Sequence, residues 1–297
     1  MHRRKAVRFL SAALALPAMK RITAGLRLEA SQRSESSILN PQSVVERLDR
    51  IGLALITLGR DLGRDFEATL QQVAAIGYRE LDMYIYASGL EARATRVILD
   101  RVGLTCPSAR VTTTSIYRGW DRFVDAAAAL GSRYITLANV SPDERRTLRD
   151  WHELAVVFNR AGEAAARAGL LFCYHNHDFE LQPLEGQIPF DLLVNETDPR
   201  LVKLQVDVYW ITRGGRNAAA ELRRLTGRVA SLHLKDMDST AARGITTVGR
   251  GTIRFADVLR AATDTGIRHF FVEEDAPPAP AIDAVRASYE YLRQLEF

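Results

Sequence analysis

The sequence is poor in cysteine, with only Cys106 and Cys173 in 297 residues, too few for a disulfide-held scaffold or a cysteine-rich zinc fold. Both fall in strand-like runs that are not neighbours in the arrangement read below, so they are expected to be small buried hydrophobes rather than a disulfide or redox pair. No run of apolar residues reaches the length of about 18 that a membrane helix needs, so no membrane span is expected. No Gly-rich fingerprint follows the first strand-like run, which removes the main sign of a dinucleotide fold. The body also lacks positive charge. The chain carries +4 overall, but residues 1–40 hold eight Lys/Arg against two acidic residues, which leaves 32 basic and 34 acidic groups in the remainder. A mildly acidic body offers a phosphate backbone little to bind, so no nucleic-acid partner is expected.

What is present begins with that basic leader. Arg3-Arg4 followed by the apolar stretch Phe9–Ala18 reads as an export signal, and the arginine pair suggests the twin-arginine route. The expected location is therefore periplasmic or otherwise exported, with a basic tail on a cytoplasmic protein as the alternative.

After a polar stretch the chain alternates short β-rich runs with longer helical ones. The spacing predicts strands at Gly52–Thr57, Tyr78–Met83, Thr105–Val111, Tyr134–Leu137, Leu170–His175, Val202–Val208, Val229–Leu234 and His269–Glu273. Helical periodicity fills the intervals at Phe66–Ile76, Ala92–Val102, Phe123–Leu130, Trp151–Ala168, Ala218–Leu225 and Phe255–Thr265. Glycines 77, 103, 131, 169 and 266 close helices just before strands, where a left-handed cap is needed. Eight such strands in one run of chain predict an α/β fold, a single (β/α)8 TIM barrel, rather than an open sheet. The expected organisation is residues 1–30 as export signal, 31–48 as polar linker and entry to the barrel, and 49–297 as the barrel.

In such a barrel, chemistry sits at the C-terminal ends of the strands. The fifth ends in Tyr174-His-Asn-His177, the sixth in Asp207-Val-Tyr-Trp210, the seventh in His233-Leu-Lys-Asp236 and the eighth in Glu273-Glu-Asp275. Four successive strand ends thus carry His, Asp, His and Glu, a donor set suited to a divalent ion such as Mn²⁺, Co²⁺ or Zn²⁺. His233 and Lys235 have like parity, as do His175 and His177, so each pair can face one side. By parity Glu274 faces away and is expected to pair at the surface. Glu180 is expected to be either solvated or a partner of the site, and His152 and His269 to be structural.

Here the sequence resembles the sugar phosphate isomerase/epimerase family of xylose isomerase-like barrels, from about Ile51 to Leu292. The resemblance is carried by Gly77-Tyr-Arg-Glu-Leu-Asp82, Tyr174-His-Asn-His-Asp-Phe-Glu180, Asp207-Val-Tyr-Trp-Ile-Thr-Arg213, His233-Leu-Lys-Asp236, Val248-Gly-Arg-Gly-Thr-Ile253 and Phe271-Val-Glu-Glu-Asp275. It implies a divalent metal (Mn²⁺, Mg²⁺, Co²⁺ or Zn²⁺) on Asp207, His233 and Glu273, and His175 or His177 is expected to complete the shell. It also implies a small carbohydrate substrate and proton abstraction beside its carbonyl, as in an isomerase or epimerase. Glu273 and His175 are the candidate proton carriers, with Lys235 against the developing oxyanion. Substrate contacts are expected from His177, Asp82, Arg110, Tyr209, Trp210 and Arg250, with Trp120 as a further apolar wall.

The sequence departs from that pattern where His175 replaces a glutamate at the fifth strand end, so the two faces of the substrate carbon lack matched carboxylates. That favours one-sided chemistry, and a lyase or hydrolase eliminating from 3-keto-glycosides is the alternative enzyme. Rivals of other kinds are a non-catalytic sugar-binding barrel and an abasic-site endonuclease, the latter disfavoured by the acidic body. Homo-oligomer formation is left open.

Overall fold

The structure is a computed structural model that describes residues 46–297. The leader and all but the last three residues of the expected linker lie outside the described residues. Of those three, Glu46 exchanges two backbone hydrogen bonds with Phe297, at 2.9 and 3.1 Å, so the two ends of the described chain are joined.

Eight parallel strands close into a barrel in sequence order: β1 (Gly52–Ala54), β2 (Glu80–Tyr84), β3 (Thr105–Val111), β4 (Tyr134–Leu137), β5 (Leu171–His175), β6 (Val202–Asp207), β7 (Val229–Leu234) and β8 (Phe270–Val272). A helix follows each strand: α1 (Phe66–Ile76), α2 (Ala92–Val102), α3 (Trp120–Ala129), α4 (Leu148–Arg167), α5 (Pro189–Glu196), α6 (Ala218–Arg224), α7 (Phe255–Asp264) and α8 (Ala281–Gln294). The expected barrel is therefore the observed one. The first and last strands are shorter than predicted, because Leu55–Leu58 coils into a 3-10 turn and the polar Glu273 lies past the ladder.

Local chemistry sets the boundaries. Asp65 begins α1 by accepting the Ala68 N–H at 2.9 Å, and Thr147 with Asp150 forms a capping box at the start of α4. The five glycines read as helix stops all have positive φ, from 72° at Gly103 to 127° at Gly77, a backbone that side-chain-bearing residues resist. The apolar face of each helix packs outside the barrel in one continuous core that includes Leu70, Leu99, Phe158, Phe190 and Leu259.

Inside the barrel the packing is partly polar. Ser108 and Thr136 share a hydrogen bond at 3.0 Å, and Gln205 Nε2 donates to Ser108 and Ser231 at 3.2 Å each. This layer forms a hydrogen-bonded floor beneath the C-terminal mouth. Cys106 and Cys173 are both free and buried, and burial raises the Cys106 thiol to about 12, consistent with an inert thiol.

Candidate metal centre and active site

The barrel register brings the strand ends together. Asp207 pairs in register with His233, and His175 with Gln205. His175, Asp207, His233 and Glu273 each offer one ligand atom, all within 4.8 Å of one another, and all four are buried.

Each member is held by a different neighbour. His175 Nδ1 meets Gln205 Oε1 at 3.2 Å, which turns Nε2 toward Asp207 Oδ2, 4.0 Å away. Asp207 uses Oδ1 to accept the N–H groups of Tyr209 and Trp210 at 2.9 and 3.2 Å, and its own N–H donates to Asn176 Oδ1 at 3.0 Å. His233 Nδ1 lies 2.6 Å from Glu273 Oε2. His233 Nε2 approaches Asp82 Oδ2 at 3.1 Å, off the hydrogen-bonding direction.

The donors fit a divalent ion. Two imidazoles and two carboxylates form an accepted ligand set, and Asp207 Oδ2 and His233 Nε2 are buried there with ionic neighbours, Lys235 Nζ at 3.3 Å and Asp82 Oδ2 at 3.1 Å, but no well-directed hydrogen bond. Buried polar atoms whose hydrogen-bonding capacity is unused are costly, and a bound ion would use it. The Gln205–His175 contact is the outer support a metal-binding imidazole needs.

The site's own cations already lean on these carboxylates. Lys235 Nζ lies 3.3 Å from Asp207, 3.1 Å from Glu273 and 3.0 Å from Asp275. Arg110 bridges Asp82 at 3.0 Å and Glu273 at 3.3 Å. Burial opposes charge on Glu273, but Lys235, His233 and Arg110 outweigh it and hold the carboxyl well below its ordinary range. His177 goes the other way, since burial and the Lys235 charge lower it to about 3 and keep the ring neutral.

The remaining expected residues divide. His177 and Trp210 line the cluster: the His177 ring is 5.1 Å from that of His175 and 5.4 Å from Trp210, and its Nδ1 has no partner. Asp82 and Arg110 sit in the barrel wall beside the ligands. Tyr209 is buried, its hydroxyl donating to the Arg243 carbonyl at 2.9 Å. Arg250 is exposed and lines a small hollow with Pro278 and Asp283, outside the cluster. Trp120 packs edge-on against Phe172 and donates to Ala161 O at 3.2 Å, so it belongs to the helical shell. Glu274 is buried beside Thr247 rather than paired at the surface, since the strand ladder ends at Val272 and parity no longer sets the direction of the residues beyond it. His269 pairs with Glu80 at 2.9 Å and His152 with Glu196 at 2.8 Å, both structural contacts. Glu180 is fully buried, bonded to the Tyr174 hydroxyl at 2.6 Å, and burial raises it to about 7.

A closed parallel barrel with a His/Asp/His/Glu cluster at its C-terminal mouth defines a class: (β/α)8 barrels with a buried cluster able to hold a metal ion. Residues 45–295 match the model of the xylose isomerase-like TIM barrel family, and the chain belongs to that family. An inosose dehydratase of Geobacillus thermodenitrificans is 29% identical over 168 residues, 50% of this chain and 55% of that protein. The chain spans about half the length of the curated relatives it matches. A sugar phosphate isomerase/epimerase structure from Parabacteroides distasonis superposes with TM-score 0.74 at 22% identity, over 83% of this chain and 98% of that one. The D-psicose 3-epimerase of Clostridium cellulolyticum, solved with D-tagatose, gives TM-score 0.66 at 14% identity over 82% and 98%. These two likenesses establish the fold. Among the described residues no helix is long and apolar enough to cross a membrane.

Proposed function

We propose that the chain is a divalent-metal-dependent enzyme that removes a proton beside the carbonyl of a sugar or keto-polyol, working from one face and ending in elimination. The observation that carries this reading is the buried meeting of His175, Asp207, His233 and Glu273, with Lys235 against two of its carboxylates. A divalent ion on these side chains supplies Lewis acidity toward a carbonyl oxygen.

The chain's own groups do the proton work. Glu273, kept ionised by its cationic neighbours, accepts the proton as the C–H bond breaks, and that electron pair passes into the enolate. The Lys235 ammonium stabilises the negative oxygen. Return of the electron pair expels the oxygen on the next carbon, which leaves with a proton from Lys235, giving an unsaturated ketone and water or an alcohol. Glu273, 3.1 Å from Lys235 Nζ, restores that proton. His177 offers its free Nδ1 to a substrate hydroxyl, and Trp210 provides the adjoining apolar surface.

One-sidedness is supported at β5, where the second carboxylate of a symmetric acid–base pair is absent and His175 is tied to Gln205. The inosose dehydratases among the sequence relatives favour elimination over epimerisation. An exported, periplasmic setting for residues 46–297 is part of the same proposal and rests on the leader alone. Turnover of free ketoses and inososes in deuterated water, followed by NMR of the product, tests the reaction. Loss of water is expected from wild type and is reduced in His175→Gln. Deuterium at one inverted carbon of an otherwise unchanged sugar would contradict elimination.

A further inference from the structure

The motif that begins at Asp207 ends in Arg213, a residue the proton chemistry does not use. It closes the helical turn Val208–Arg213 that follows β6 and carries Trp210, whose ring centre lies 5.9 Å from the Arg213 guanidinium carbon. That guanidinium reaches the loops on both sides. Nε donates to Asp178 Oδ2 at 3.0 Å in the loop after β5, and Nη1 donates to the Arg243 and Ala242 carbonyls at 3.0 and 3.2 Å in the loop after β7. Nη1 also meets the Tyr209 hydroxyl at 3.0 Å, and that hydroxyl donates to the same Arg243 carbonyl. One planar group thus spans the ends of β5, β6 and β7.

The contact is returned from the far side. Arg243 Nη2 donates to the Thr212 carbonyl at 2.8 Å, filling an acceptor that the end of a helical turn leaves open. Arg243 has a φ of 51°, in the left-handed region that side-chain-bearing residues resist, and such a backbone persists where its surroundings fix it. The approach on the β5 side is close as well. A Cβ on Gly214 would stand 2.9 Å from Leu181 Cβ, at the far end of the β5 loop.

These loops carry the side chains beside the cluster. His177 precedes Asp178, and Trp210 shares the helical turn with Arg213. The His177 ring stacks on Phe179 at 10° and 5.3 Å, but both rings belong to one loop, so the stack does not tie that loop to the site. His177 Nδ1 and Trp210 Nε1 are buried with no hydrogen-bond partner, so neither side chain is oriented through that atom. Their direction depends on the backbone beneath them. The metal-ligand candidates are held separately, Asp207 by Asn176 and His175 by Gln205.

We propose that Arg213 is a positioning residue: by clamping the loops after β5, β6 and β7 it sets His177 and Trp210 at the spacing the substrate meets. The clamp does not depend on the reaction, while the meeting of these side chains with a sugar or keto-polyol rests on the function proposed above. Arginine suits the place because its donors form a rigid fork that serves two loops at once, whereas lysine brings one charge to one point.

Hydrogen exchange by mass spectrometry tests this on the full chain, in wild type, Arg213→Lys, Arg213→Met and Asp178→Asn, beside metal content and turnover of inososes and free ketoses. Both Arg213 variants should exchange about tenfold faster over residues 176–181 and 240–246 together, with β5–β7 and metal content unchanged. Asp178→Asn should loosen residues 176–181 alone. The Arg213 variants should raise KM about tenfold and keep kcat within about twofold of wild type, because the contacts affected bind ground and transition states alike. Loosening of one loop without the other in the Arg213 variants, or wild-type behaviour of Arg213→Lys, would overturn the clamp. Both loops loosened with KM unchanged would overturn the positioning role. Exchange that rises throughout the barrel, in Asp178→Asn as well, would make these contacts structural and overturn the proposal. A wild type that turns over no inosose or ketose, with both loops loosened together in the variants, would uphold the clamp and remove the proposed reaction.

Discussion

Gln205 connects five strands of the barrel through one side chain: His175 on β5, Asp82 on β2, Ser108 on β3 and Ser231 on β7, with β6 carrying the amide itself. Replacing it by Leu frees the His175 ring and leaves the hydroxyls of Ser108 and Ser231 with one partner fewer. Gln205→Leu should weaken divalent-ion affinity about 10- to 100-fold, measured by competition with a chelator. Unchanged affinity would show that Gln205 does not orient a ligand. His175, Asp207, His233, Glu273 and Lys235 were legible in the sequence because polar groups at strand ends stand out against apolar runs. Gln205, Ser108 and Asn176 were not, since neutral residues do not stand out by charge against apolar runs. Parity alone could have flagged Gln205, two residues before Asp207 and on the same face. That Arg250 stands apart from the cluster was not legible for a related reason, as a charge in a long loop has no periodicity to fix its direction.

At the scale of elements, α4 lies close against the chain before β6. A Cβ on Gly162 would stand 2.6 Å from the Leu201 carbonyl oxygen, a backbone atom that cannot swing aside. Gly162→Ala should therefore destabilise the fold by about 1–3 kcal/mol in denaturant unfolding, despite the better helix propensity of alanine. A stabilised variant would mean that the helix can shift at no cost. The α5–α6 region is held by charge: Arg216 and Arg224 each reach Asp191 at 2.9 Å. The Arg216 hydrogen bond leads in holding the Asp191 carboxyl below its ordinary range. A carboxyl lowered in the folded state stabilises it above the unfolded pKa and loses that contribution as pH falls through the folded value. Asp191→Asn should thus lower the unfolding free energy at pH 7 by about 1 kcal/mol or less, and the gap to wild type should shrink below pH 4. A gap independent of pH would rule out the charge explanation. Most elements were legible because glycine stops and 3.6-residue periodicity agree in them. The helices α5 and α8 escaped. The first is eight residues long and begins with Pro189, and the second buries Ala284 and Ser288 along with Val285 and Leu292, so its apolar stripe is faint.

For the whole molecule, closure of eight parallel strands was readable from repetition, while the geometry of the mouth was not. Barrel register, rather than any local pattern, places residues from β2, β3 and β5–β8 within reach of one another. If those residues bind an ion in the folded chain only, folding and binding are linked. At an ion concentration 100 times Kd the gain is about 2.7 kcal/mol, so calorimetric melting should move upward by several degrees on adding Mn²⁺ or Zn²⁺ and downward with a chelator. Asp207→Ala should abolish the shift.

Elemental analysis of the dialysed protein, wild type and Asp207→Ala side by side, tests the metal centre most directly. Asp207 carries a buried carboxylate oxygen with no hydrogen-bond partner at the middle of the cluster, so its removal takes away a ligand and leaves the barrel ladder intact. The expected result is about one divalent ion per chain in wild type and almost none in the variant, with the same far-ultraviolet circular dichroism. Full and equal occupancy in both proteins, or a wild type that holds no divalent ion even after incubation with Mn²⁺ and Zn²⁺, would contradict it.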